Sequence, residues 1–180
     1  MALSSTVIRF QIKLSDVDRG IYETTELRVA RHPSESNTFL LTRVIAYALN
    51  LQEGIAFSNG ISTPDEPAIY IKDLTGQILT WIDIGNPAVR RIHKASKAAK
   101  LVKIYTYKDP KLTLDEVKGA EIYALESIEL YSLAPKFLNP LEGTLDRDNA
   151  WELLHNEGEL NITAQGNSIQ GEIFRHLLVP

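Results

Sequence analysis

The sequence predicts an α/β fold built on a mixed sheet. Three observations lead there. Stretches of period-two alternation stand near both ends of the chain. Two stretches of helical period lie between them. The central order is helix, strand, strand, strand, helix, strand, which is how a sheet acquires covering helices.

The elements follow in chain order. "STVIRFQIKLSD" alternates Val7, Arg9, Gln11 and Lys13 with Ile8, Phe10, Ile12 and Leu14, so a half-buried strand is expected. "VDRG" reads as a turn and "IYETTELRVARH" alternates again, giving an N-terminal β hairpin. Phe39, Leu41, Val44, Ile45, Ala48 and Leu49 recur at helical spacing. An amphipathic helix is expected over roughly Ser34 to Asn50, with Pro33 and Glu35 at its first turn. Short strands are expected at Ile55–Asn59, Ala68–Lys72 and Ile78–Ile84. The last two form a hairpin closed near Leu74 to Gln77. "GNP" ends that run, and Pro87 opens a second helix reaching about Ala99. "LVKIYTY" reads as a strand, Leu112–Lys118 as a short helix, and "EIYALESIELYSL" as one long, bent strand. "SLAPKFLNPLEG" is the most loop-like segment. The stretch from Asn149 to Leu178 reads as a C-terminal β meander, with Asn-Glu-Gly and Gly-Asn as turns.

The chain has 180 residues, 44% hydrophobic and 23% charged, which suits a single domain spanning residues 1–180 with a sizeable core. It carries no run of about 18 apolar residues and no signal-peptide layout, so no membrane span is expected. It has no cysteine, which removes disulfides and thiolate metal sites and fits a cytoplasmic setting. A net charge of −4 argues against a protein that coats nucleic acid. The charge is uneven, however. Arg90, Arg91, Lys94, Lys97, Lys100 and Lys103 follow one another with no acid among them, and any nucleic-acid contact is expected there. No glycine-rich phosphate loop and no GxSxG motif occurs, so P-loop, dinucleotide and serine-hydrolase chemistry lack support.

In the hairpin "PDEPAIYIKDLTGQILTWIDIGNP", the start of one strand lies beside the end of the other. Asp65 and Asp83 therefore meet at its open end. Carboxylates brought together repel unless a cation neutralises them. Mg²⁺, or Mn²⁺, prefers such hard oxygen ligands and can activate water against a phosphodiester.

This order of elements and acids resembles the PD-(D/E)XK nuclease fold, also called restriction-endonuclease-like. Pro64-Asp65 matches the first half of its signature. Asp83-Ile84-Gly85 stands where that fold writes (D/E)xK, but with Gly at position 85. More narrowly, "ARHPSE" (Ala30 to Glu35), "DEP" (Asp65 to Pro67), "WIDIGNP" (Trp81 to Pro87), "RRIHKA" (Arg90 to Ala95) and Thr106-Tyr107 resemble the YaeQ family, a divergent branch of that fold. The resemblance implies a metal held by Glu35, Asp65 and Asp83. It also implies a lysine moved to the following helix, best matched by Lys94, with Lys97 in reserve. The expected chemistry is Mg²⁺-dependent phosphodiester hydrolysis, with Asp65, Asp83 and Lys94 catalytic. Arg31, Arg90, Arg91, Lys94 and Lys97 are the expected nucleic-acid contacts.

A second reading stands beside it: a catalytically inactive nuclease scaffold that binds nucleic acid or a protein partner, in a setting such as transcription or repair. Simpler roles also remain open for single residues. Glu35 is favoured near a helix N-terminus by the macrodipole alone, by about 0.3–1 kcal/mol. Asp65 suits a turn. Arg43 suits an ion pair with Glu35, Arg31 and His32 suit pairing with Glu35 or a loop, and the cation stripe suits a solvated helix face.

Overall fold

The computed structural model describes residues 4–59 and 65–180. Strands β1 (Thr6–Asp16) and β2 (Ile21–Arg31) form the expected hairpin, in register from Thr6 opposite Arg31 to Asp16 opposite Ile21. Helix α1 (Asn37–Leu49) follows, then β3 (Ile55–Phe57), β4 (Ile69–Lys72) and β5 (Ile78–Ile84). Helix α2 (Val89–Ala98) leads to β6 (Leu101–Thr106), and α3 (Pro110–Val117) to β7 (Ile128–Leu133). Helix α4 (Pro135–Thr144) precedes the meander β8 (Asp148–Asn156), β9 (Glu159–Ala164) and β10 (Asn167–His176).

The strands join in one sheet of ten, ordered β2-β1-β8-β9-β10-β7-β6-β5-β4-β3. The fold class holds: the molecule is α/β with a mixed sheet. Two crossovers, β5-α2-β6 and β6-α3-β7, make its parallel centre. The terminal hairpins are not appendages. β1 pairs in parallel with β8. β10 pairs first with β9 and then, from Ile173 onward, with β7, stitching both halves together.

Alternation explains the outer strands. Ile8, Phe10, Ile12 and Leu14 of β1 turn inward beside Trp151 and Leu153 of β8, and their polar neighbours turn out. Helix α1 packs on β1, β5, β6 and α4. Nine of its residues are buried, Leu40 to Ala46 without a break, so it is a central helix rather than the expected amphipathic one. The opposite face of β5, β6 and β7 carries a second core, in which Trp81, Val102, Ile104 and Leu130 meet Ile92, Ala95 and Val117.

Three further expectations are corrected. Helix α1 starts at Asn37, where the Ser36 side chain accepts from the Phe39 amide; Pro33 and Glu35 precede it. The loop-like "SLAPKFLNPLEG" contains α4. Pro135 is compatible with a first turn, and burial of Phe137, Leu138 and Leu141 outweighs the hydrogen bond forgone at Pro140. The long strand expected from Glu121 is strand only from Ile128. Ala124 lies at φ +47°, and a 3₁₀ turn over Leu125–Ser127 precedes β7.

Candidate functional site

Asp83 lies one residue before the end of β5. It faces the same side as Trp81, toward α2. Asn86 and Pro87 then turn the chain so that α2 runs back over the sheet. Arg91, in its first turn, reaches down to Asp83. Arg91 Nε donates to Asp83 Oδ2 and Nη2 to Oδ1, both at 2.8 Å, and Nη2 also donates to the Glu66 carbonyl at 2.6 Å. The guanidinium lies 5.6 Å from the centre of the Trp81 ring. The Asp83 side chain is almost wholly buried. The hydrogen bonds that Arg91 donates to Asp83 push the Arg91 pKa above its ordinary value.

Lys94 follows one turn later and forms an ion pair with exposed Asp65. The hydrogen bond from Lys94 and its charge hold the Asp65 carboxyl below its ordinary range, and Arg91 adds to the field. The hairpin thus brings Asp65, Asp83, Arg91 and Lys94 into one electrostatic group. Pro64, the first letter of the expected signature, lies outside the described residues.

Glu35 stands apart from this group, interacting with Arg43, Arg31 and His32. It sits in the turn between β2 and α1, where its amide donates to the His32 carbonyl at 2.9 Å and its Oε2 accepts from the His32 amide at 3.3 Å. Arg43, two turns into α1, pairs with it at 2.9 Å. Burial pushes the Glu35 carboxyl up, against the pull of Arg43. Arg31 donates to the Glu35 carbonyl, and so serves the turn. Between the Arg43 and Arg91 sides lies a cleft of about 230 Å³, lined also by Phe39, Ser58, Glu66, Asp83 and Asn86.

The three expected metal ligands do not form a common ligand set. Glu35 is paired with Arg43, Asp65 with Lys94, and Asp83 with Arg91. Among the described residues no three His, Asp or Glu side chains are grouped to hold a metal ion. As arranged, the buried carboxylates of Glu35 and Asp83 are each compensated by an arginine, and exposed Asp65 by Lys94. Gly85, where the signature lysine would stand, has φ +91°. That left-handed backbone suits glycine and strains lysine.

Sequence reasoning placed Arg91 among the phosphate contacts and missed its hold on Asp83. A signal existed: a carboxylate ending an apolar strand needs a cation nearby, and α2 begins directly after it. A second network was missed entirely. Asp16 is buried and accepts from Arg19 Nε at 2.6 Å; His155 Nδ1 lies 3.0 Å from its other oxygen. Arg19 also donates to the Ala48 and Leu51 carbonyls at the end of α1. Beside it, Asn50 bridges the Tyr105 hydroxyl and Lys103 Nζ, each at 2.8 Å.

No helix among the described residues is long and apolar enough to cross a membrane. Solved structures share the fold closely. The YaeQ protein of Pseudomonas syringae superposes with a TM-score of 0.85 at 27% identity, covering 95% of each chain. The YaeQ protein of Xanthomonas axonopodis pv. citri gives 0.85 and 27%, covering 96% of this chain and 98% of that one. Proteins named "Uncharacterized protein YaeQ" from Escherichia coli (strain K12) and Shigella flexneri are each 34% identical over 107 residues, 59% of this chain. The matched stretch likewise spans 59% of the length of these relatives. The model of the YaeQ protein family matches residues 1–173. The chain belongs to the YaeQ family.

Proposed function

We propose that this chain is a nuclease-like module that binds nucleic acid along α2, next to a diverged PD-(D/E)XK cleft, without a resident metal. The observation that carries the reading is the state of the carboxylates. Glu35, Asp65 and Asp83 are each matched by a cation of the chain, while α2 still presents exposed Arg90 and Lys97 that make no ion pair among the described residues. Arg90, Lys94 and Lys97 recur at four and three positions along α2, on one face. Such a stripe suits a phosphate backbone and carries no base specificity.

Fluorescence anisotropy with labelled single- and double-stranded DNA and RNA, in EDTA, tests this. Salt-dependent binding is expected. Arg90→Ala and Lys97→Ala should each flatten the log K against log salt slope by about one. Absence of binding at low salt, or binding indifferent to both variants, overturns the reading.

One observation favours a second reading, metal-dependent phosphodiester hydrolysis: Asp65, Asp83 and Lys94 do share one electrostatic group. Cleavage of the same oligonucleotides in Mn²⁺, lost in Asp83→Asn, would establish it. Intact substrate with active-concentration protein would remove it.

A further inference from the structure

Among the described residues, three oxygens from two separate segments converge on the Arg91 guanidinium. They are both carboxylate oxygens of Asp83, at 2.8 Å, and the Glu66 carbonyl, at 2.6 Å. Two are charged, one is neutral, and all are hard donors that a divalent ion would seek. A planar guanidinium satisfies a carboxylate with two parallel hydrogen bonds, which a lysine cannot do. The aromatic face of Trp81 beside it adds a favourable surface for the cation. The Asp83 side chain is 4% exposed and the Arg91 side chain 27%, so the acid is nearly sealed from solvent while the arginine is partly open to it.

We propose that Arg91 is the resident cation of this cleft and excludes divalent metal from Asp83. The arginine lends the charge that a bound ion would lend, and it joins the Asp83 strand to the loop carrying Glu66 as a metal bridge would. Mg²⁺ or Mn²⁺ reaches Asp83 only by displacing a two-point, mostly buried ion pair. The side chain that must leave Asp83 belongs to the helix that carries Lys94 and Lys97, so a freed Arg91 would join their phosphate-binding face. The inference rests on reading the cleft as a diverged nuclease site, but not on nucleic-acid binding, which is measured separately and without metal.

The test is Mn²⁺ titration of the isotope-labelled protein, followed by paramagnetic broadening of the amide signals of Asp83 and Ile84 and by calorimetry. The wild type should show no selective broadening there. Arg91→Ala should show it, with Mn²⁺ affinity raised by about a hundredfold or more, and adding Asp83→Asn should abolish it. Arg91→Lys keeps the charge but offers a single point of contact. It serves as the folded reference should Arg91→Ala unfold, and its Mn²⁺ affinity should exceed that of the wild type. Equal Mn²⁺ affinity in wild type and folded variants overturns the proposal. So does the absence of Mn²⁺ binding in every folded Arg91 variant.

Discussion

Glu35 and Arg43 bury one another: their side chains are 0% and 3% exposed, and the charges meet at 2.9 Å. The pair ties the turn after β2 to the second turn of α1. Arg43 additionally donates to the Ala30 carbonyl at 3.0 Å and lies 5.5 Å from the Phe57 ring. Arg43→Met leaves a carboxylate buried without its partner and should cost about 3–5 kcal/mol. Combining it with Glu35→Gln should return a large part of that loss. Urea unfolding of wild type, both single variants and the double variant gives the coupling energy directly. Strictly additive losses would show that the two charges do not support each other.

Asp16 supplies the pH dependence. Burial pushes its carboxyl up, but hydrogen bonds from Arg19 and His155, with their charges, bring it below the ordinary value of 3.8. A carboxylate with a depressed native pKa takes up its proton first in the unfolded chain. Its stabilisation is complete above the unfolded value and disappears as pH falls through the native one. The stability gap between wild type and Asp16→Asn should therefore be widest near neutrality and close below about pH 4. Urea midpoints for both proteins between pH 2 and pH 7 measure it. A gap that stays constant across that range assigns the acid sensitivity to other groups.

Gly85 governs whether a lysine is tolerated where the expected signature would place one. A Cβ there has room, meeting only the Tyr107 ring at 3.8 Å, but the backbone φ of +91° remains. Gly85→Lys should destabilise the fold by about 1–2 kcal/mol through backbone strain alone, and Gly85→Ala by a similar amount. Thermal melts of both variants decide this. Wild-type melting temperatures in both would show that the chain relaxes out of the left-handed region at no cost.

Gly171 is needed for packing. A Cβ at this position of β10 would lie 2.4 Å from ring atoms of Phe137, which is buried in α4. Gly171→Ala should cost about 1–3 kcal/mol by overpacking. The same change should cost clearly less in a Phe137→Ala background, because the obstructing ring is gone. Equal costs in both backgrounds would place the strain elsewhere.

The strand framework was legible because alternation in β1, β2 and β8 to β10, and the apolar runs of β5 and β6, each signal burial directly. The parallel β1–β8 pairing was not, since nothing local marks which distant strand will lie alongside. Helix α4 was hidden by Pro135 and Pro140, whose local preference yields to burial of Phe137 and Leu141. In the site, the nearness of Lys94 on α2 to Asp65 followed from the resemblance, though not their ion pair. The partner of Asp83 did not. Arg90 and Arg91 are adjacent in sequence and alike in chemistry, yet one is exposed and the other enters the cleft. Only the rotation of α2 about its own axis separates them, and that rotation is set by Ile92 and Ala95 packing on Trp81, Val102 and Ile104.

The parallel alignment of β1 with β8 has a consequence for how the chain comes to be assembled. A ribosome releases β1 about 140 residues before its neighbour β8 (Arg9 pairs with Asp148), and β2 covers only one of its two edges in the interval. A nascent hairpin with an apolar face and an open edge must wait until those residues are made before its partner strand arrives. Contacts of such sequence separation slow folding and leave a window for mispairing between chains. The protein should therefore acquire its protease resistance late and in one step, as β8 to β10 close the sheet.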